Sequence, residues 1–346
     1  MSTGEGASLI TAPPKPVRNP LPRPAVLGIT AAILLVVWGL GWLLISVGVL
    51  DAYVMSTLTT ICINIILAVS LNLIVGFTGQ LSLGHAGFMA IGAYTCALIT
   101  MPFSSAFPDI EIVGFILGLI GGGLAAGVVG VAIGVPTLRL KGDYLAIATL
   151  GLAQIIMVVL QNLEITNGAA GLSGIPSYVD WNWLFLLTAG TILLVSNLLG
   201  SAQGRDIVAV REDEIAASAV GVNTTRVKIL AFTVGGIFAG IAGGLYASSF
   251  YVIQPQQFSF MLSINILVIV VLGGLGSLTG SVLGAIVLGL VSTFLQSYPE
   301  IQMILYSLIL VLLMLFRPQG LLGNREFSVR ALGRILPIRT KKESKA

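Results

Sequence analysis

The sequence predicts an all-α polytopic integral membrane protein of about ten transmembrane helices, some broken or re-entrant, with the N and C termini cytoplasmic. Three observations lead there. Of the 346 residues, 56% are apolar and only 9% are charged, with a mean hydropathy of +1.02. Soluble domains carry about 25% charged residues. This chain cannot coat a water-facing surface, which excludes a soluble enzyme or soluble binding module. Second, the 42 glycines make up about 12% of the chain against a usual share of about 7%. They have no strict period, which rules out collagen-like structure and suits closely packed membrane helices. Third, the few charges are segregated by sign.

The charges leave uncharged blocks at 25–50, 52–108, 112–138, 144–163, 181–204, 229–299 and 301–316. A crossing needs about 20 residues at about 1.5 Å each, so the longest blocks hold two or three. The predicted spans are 25–50, 53–75, 85–102, 112–137, 144–163, 181–200, 229–251, 262–277, 279–298 and 301–316. Boundaries at Asp51, Asp109, Glu111, Glu164, Asp180 and Glu300 contain no Lys or Arg. The basic residues gather in the N-terminal tail, at Arg139 and Lys141, in 205–228 and from Arg317 onward. Basic residues favour the cytoplasmic side, which fixes the parity of every block. Spans 262–277 and 301–316 are short, as a re-entrant or broken helix would be.

Six of the 14 prolines fall in residues 1–24, which read as a disordered Pro-rich cytoplasmic tail. The apolar run that follows is too long for a signal-peptide core and reads as a retained first helix. The membrane domain then occupies 25–323, and 324–346 forms a basic cytoplasmic tail lying on anionic membrane lipid. Cys62 and Cys96 sit in apolar runs without metal-ligand spacing, so no metal is expected, nor is a nucleic-acid partner. Glycines at four-residue spacing (118/122, 123/127, 130/134 and 236/240/244) read as close helix packing.

Residues 70–94, SLNLIVGFTGQLSLGHAGFMAIGAY, differ in kind. Asn72, Thr78, Gln80, Ser82 and His85 lie in an apolar context with Gly79 and Gly84 among the glycines. Polar groups at membrane depth must pair or line a cavity. A second glycine-interrupted stretch, LGGLGSLTGSVLGA at 272–285, lies in the other half. Paired interruptions point to a transport site at a repeat interface, although the two stretches do not align without a gap. His85 also has a plain reading, as a hydrogen-bonded structural histidine.

Two intramembrane-protease readings fail. Gly171-Leu172-Ser173-Gly174 matches the G-x-S-G of intramembrane serine proteases. Here, however, the histidine precedes the serine, and Ser173 lies in a loop before Pro176. Paired intramembrane aspartates are missing from every predicted span. No G-x-x-x-x-G-K-[ST] occurs, so the chain has no phosphate-binding loop for ATP.

The sizeable inner loop is 201–228. Its charge cluster Arg211, Glu212, Asp213 and Glu214 precedes a small-residue helix ending at Gly221. Asp213 and Glu214 favour the helix dipole and Gly221 suits its stop. This segment is either a solvated loop helix or a docking element for a cytoplasmic partner.

These motifs together resemble the permease subunits of branched-chain amino acid ABC importers, in the LivM branch of the LivH/LivM family. The resemblance is carried by LNLIVGFTGQLSLGHAGFMAIGAY (71–94), KGDYLAIATLG (141–151), TNGAAGLSGI (166–175), AVREDEIAASAVGVN (209–223) with KILAF (228–232), INILVIVVLGGLGSLTGSVLGA (264–285) and LMLFRPQGLLG (313–323). It implies a multi-pass protein of the bacterial inner membrane and a second, LivH-like permease. It also implies two cytoplasmic ATP-binding subunits and a periplasmic or extracellular substrate-binding protein. The chain itself is then no enzyme and holds no cofactor, ATP being bound by the partners. In such importers an inner-loop helix with the pattern E-A-A-x-x-x-G docks the ATPase. Ala216, Ala217 and Gly221 keep that spacing, but Ile215 stands where the glutamate would be and Glu214 is one position off. Similar permeases import urea and short-chain amides. A reading of another class, a stand-alone secondary transporter or channel, would call for membrane-embedded acids, and every acid here lies at a boundary.

Overall fold

The computed structural model describes residues 23–48, 51–137, 140, 142–295, 298, 304, 308, 311, 315, 320 and 321. Two compact units divide the chain, 1–37 with 327–346, and 38–326. Of the first, the described residues are the opening turns of α1 (Arg23–Ser46). The second holds α2 (Ala52–Asn72) with a π-helical extension (Leu73–Phe77), α3 (His85–Ala106), α4 (Glu111–Thr137), α5 (Asp143–Asn162) and α6 (Trp181–Gly200). It continues with α7 (Ala202–Glu212), α8 (Glu214–Ala219), α9 (Thr224–Ser249), α10 (Phe260–Gly273) and α11 (Leu278–Phe294).

Six of these helices, α2 to α6 and α9, are long and apolar enough to cross a membrane, and α10 and α11 are shorter apolar helices. The chain is an all-α polytopic membrane protein. Each predicted span from 25–50 to 279–298 coincides with one of its helices. The span 301–316, residues 1–22 of the predicted tail 1–24, the tail 324–346, Arg139 and Lys141 lie outside the described residues, apart from isolated positions in 301–316, and α1 already begins at Arg23, within that predicted tail. A departure from pure helix is a two-residue antiparallel pairing of β1 (Leu172–Ser173) with β2 (Val252–Ile253), which sets Leu172 opposite Ile253.

The acids that bound the apolar blocks also start helices. Asp51 and Asp180 precede α2 and α6, while Glu111 and Asp143 open α4 and α5. Each places negative charge at the positive end of a helix dipole. Tyr178 ties one such end down by donating to Glu111 Oε2 at 2.7 Å. Partial burial pushes its phenol above the usual range.

The bundle closes on glycine. A Cβ on Gly92 (α3) would strike the Gly240 carbonyl (α9); one on Gly240 would lie 2.6 Å from Gly122 O (α4), and one on Gly122 2.7 Å from Gly92 O. Three helices therefore touch backbone to backbone, as small residues allow. Gly122 and Gly240 belong to the predicted stripes; Gly92 has no such spacing. α2 is the most enclosed helix, 83% buried in its apolar window against 28% for α5 and α6. Thr59, Ser70 and Asn72 of α2 are accordingly buried within the protein, whereas Ser56 and Thr60 near its start are exposed.

Candidate functional site

The two glycine interruptions meet. α2 ends in a π-turn, a frequent mark of functional sites, and Thr78 Oγ1 closes it by donating to Leu73 O at 2.8 Å. Gly79 then takes φ +73°, a left-handed conformation that glycine adopts freely. Across from this turn, the 274–277 loop between α10 and α11 uses Gly274 and Gly276 at φ 118° and 81°. Asn72 joins the two. Its Oδ1 accepts from Gly276 N at 2.9 Å, and its Nδ2 donates to Ser277 O at 2.9 Å and Ser281 Oγ at 2.7 Å. Leu321 adds a third strand of chain by donating from its backbone to Leu272 O at 2.8 Å.

The 78–85 segment behaves differently. Leu83 N donates to Thr149 Oγ1 of α5 at 3.0 Å, and Ala86 N donates to Ser263 Oγ of α10 at 3.1 Å. Hydroxyls from other helices thus satisfy amides at and just before the start of α3. Gly84 lets α5 approach, since a Cβ there would lie 2.6 Å from Thr149 O. Yet both side-chain polar atoms of Gln80, Ser82 Oγ and His85 Nδ1 are buried with no partner among the described residues. His85 Nε2 lies 2.8 Å from Ser70 Oγ, which itself donates to Leu67 O. A hydroxyl has one proton. With that proton on Leu67 O, the ring donates through Nε2 and leaves Nδ1 as a bare acceptor.

The 201–228 segment forms two helices rather than one. α7 is capped by Ser201, whose Oγ accepts from Gly204 N. Asp213 interrupts it and caps α8, its Oδ1 accepting from Ile215 N at 2.8 Å and Ala216 N at 3.0 Å. α8 stops at Gly221 (φ 91°), with Val222 N bonded to Ala217 O and Gly221 N to Ser218 O, a Schellman ending. Glu214 is 2.6 Å from Lys228 Nζ. Ala217 is buried, whereas Ile215 and Val220 are 78% and 80% exposed.

Arg211 turns inward from the end of α7. Its Nη1 donates to Gly76 O at 3.0 Å, the last carbonyl but one of the π-turn. A Cβ on Gly276 would lie 2.5 Å from that same nitrogen, and one on Gly79 would lie 3.3 Å from Arg211 Cγ. One side chain of the 201–228 segment therefore sits against both interruptions. The charge cluster gave no hint of this, because a basic residue beside three acids reads as a surface ion pair. That pairing does exist with Glu212, at 3.5 Å.

Residues 53–316 match the family model described as branched-chain amino acid transport system / permease component. The chain belongs to that family. It is 36% identical over 270 residues to the high-affinity branched-chain amino acid transport system permease protein LivM of Escherichia coli, covering 68% of this chain and 62% of LivM. LivM of Salmonella typhimurium matches to the same extent. LivH of Salmonella typhimurium is 29% identical over 191 residues, 49% of this chain and 61% of LivH. The match thus spans less than two thirds of these curated relatives. No solved structure matches the chain.

Proposed function

We propose that this chain is the transmembrane permease subunit of an ABC importer for branched-chain or related neutral amino acids. It crosses the bacterial inner membrane ten times with both ends cytoplasmic. It pairs with a second, LivH-like permease, takes substrate from a periplasmic or extracellular binding protein, and is driven by two cytoplasmic ATP-binding subunits. It hydrolyses no ATP itself.

The observation that carries this reading is the 78–85 segment. Gln80, Ser82 and His85 offer donors and acceptors without formal charge, buried and unspent, each of which costs about 1–3 kcal/mol if never satisfied. A zwitterion passing Thr78, Gly79, Gln80, Ser82, Gly84 and His85 supplies the missing partners, its ammonium meeting His85 Nδ1 or Gln80 Oε1. Asn72 forms the fixed wall. Urea or a short amide would use the same neutral groups, and this remains the second reading. A proton- or sodium-coupled secondary transporter is disfavoured because the described acids all lie at helix ends or in connecting segments.

The 201–228 segment is the coupling element in this reading. Arg211 carries motion from α7 to the interrupted helices, while α8 presents Ile215, Ala216 and Val220 to an ATPase groove. Glu212, Asp213 and Glu214 form its polar rim and cap, and Ala217 and Gly221 hold its shape. The test is uptake of labelled L-leucine beside co-purification of the ATPases. Ile215→Glu with Val220→Glu should lose both. If ATPases and uptake persist, the segment is a solvated connector.

A further inference from the structure

A cavity of about 200 Å³ lies within this single chain, among α2, α3, α9, α10, α11 and the turn before α10. None of the residues proposed for the path lines it. Its wall is divided. Asn64, Asn265, Gln257 and Thr60 bring carboxamides and a hydroxyl from three elements, and most of the remaining wall is aliphatic or aromatic. Among the described residues no Lys, Arg, Asp or Glu contributes. The amides of Asn64 and Asn265 make no hydrogen bond among the described residues. Asn64 and Asn265 are half-buried, so their amides are open to the cavity, where water or a ligand can satisfy them.

Its position is informative. Leu67 and Met89 line the cavity. Ser70 stands three residues beyond Leu67 on α2, and His85 four residues before Met89 on α3, so each pair shares a helix face. Ser70 and His85 are themselves joined at 2.8 Å. The Leu67–Met89 pair thus forms a layer one helical turn, about 5.4 Å, from the Ser70–His85 contact. On the α10 side, Asn265 and Leu262 line the cavity while Ser263 between them reaches Ala86 N. The cavity therefore lies about one helical turn from the Ser70–His85 contact at the start of α3.

We infer that this cavity is a binding site for a small amphipathic molecule of zero net charge with an aliphatic body, a waiting site ahead of the Leu67–Met89 layer. Its volume falls below the 300–1,000 Å³ usual for drug-sized ligands. Its amides suit an ammonium and a carboxylate together, and its apolar wall suits a branched side chain. A net charge would enter without a counter-ion and be rejected. This inference rests on the transport reading for the identity of its ligand, but the site is contained in one chain and needs no ATP to fill.

The test is equilibrium binding of labelled L-leucine to the purified permease–ATPase complex, without the substrate-binding protein or nucleotide. Saturable binding is expected, competed by L-isoleucine but not by L-lysine. Asn64→Leu and Asn265→Leu should each weaken it about tenfold, the loss of one well-made hydrogen bond. Absence of saturable L-leucine binding, or binding indifferent to both asparagine variants, would overturn the site and leave a water-filled void. Binding that responds to both asparagines in a complex that transports no L-leucine would keep the site and sink the transport reading instead.

Discussion

Asn72 and Gln80 are eight residues apart, both carboxamides, both buried, on either side of one π-turn. Every polar atom of Asn72 is spent within the chain, on Gly276 N, Ser277 O and Ser281 Oγ. Neither polar atom of Gln80 is spent on any described residue. The contrast separates two uses of a polar group at membrane depth. One joins helices whose backbones glycine has broken; the other leaves hydrogen-bonding capacity for something not part of the chain. Residue type and hydropathy cannot tell them apart, whereas a hydrogen-bond account does.

Breaking the first member should do the most damage to the fold. Asn72→Leu strands Gly276 N and removes the link between α2 and the 274–277 loop. The expected loss is about 2–4 kcal/mol, a fall in Tm of about 5–10 °C. Thermal unfolding of the purified complex measures it. Gln80→Leu removes groups that have no partner and should leave Tm within about 2 °C. Equal stability losses in the two variants would erase the distinction.

A smaller effect separates Arg211 from Glu212, neighbours in one ion pair. Arg211→Ala gives up a charged hydrogen bond to Gly76 O, worth about 1.5–3 kcal/mol in general. It should cut uptake several-fold with the ATPases still bound. Glu212, 69% exposed, contributes a surface pair worth about 0.2–1 kcal/mol, and Glu212→Ala should transport nearly normally. L-leucine uptake per assembled complex compares the two, and equal uptake would remove Arg211 from the coupling route.

Helix positions were legible because sparse charges break the long apolar runs and the acids among them favour helix starts, so Asp51, Glu111, Asp143 and Asp180 mark block edges and helix starts at once. The start and stop of α8 were legible for the same local reasons, in Asp213 and Gly221. The rest depends on contacts between residues far apart in the chain. Asn72 finds partners more than 200 residues away, Arg211 reaches 135 residues back to Gly76, and Gly92 pairs with glycines on two other helices. The cavity draws on six elements. None of these leaves a pattern within any one segment. The break at Asp213 that makes two helices of 201–228 was also missed, since the acids that read as a helix start did not announce a helix end before them.

The central claim is that the unspent polar groups of the 80–85 segment serve a passing substrate. The most direct measurement is ATP-driven L-leucine uptake by proteoliposomes of the assembled transporter carrying Gln80→Leu, normalised to complex reconstituted and read beside its Tm. The account predicts an intact, equally stable complex whose uptake falls at least about tenfold, as loss of one such hydrogen-bonding partner implies. Uptake equal to that of the unsubstituted transporter, at equal stability, would contradict it.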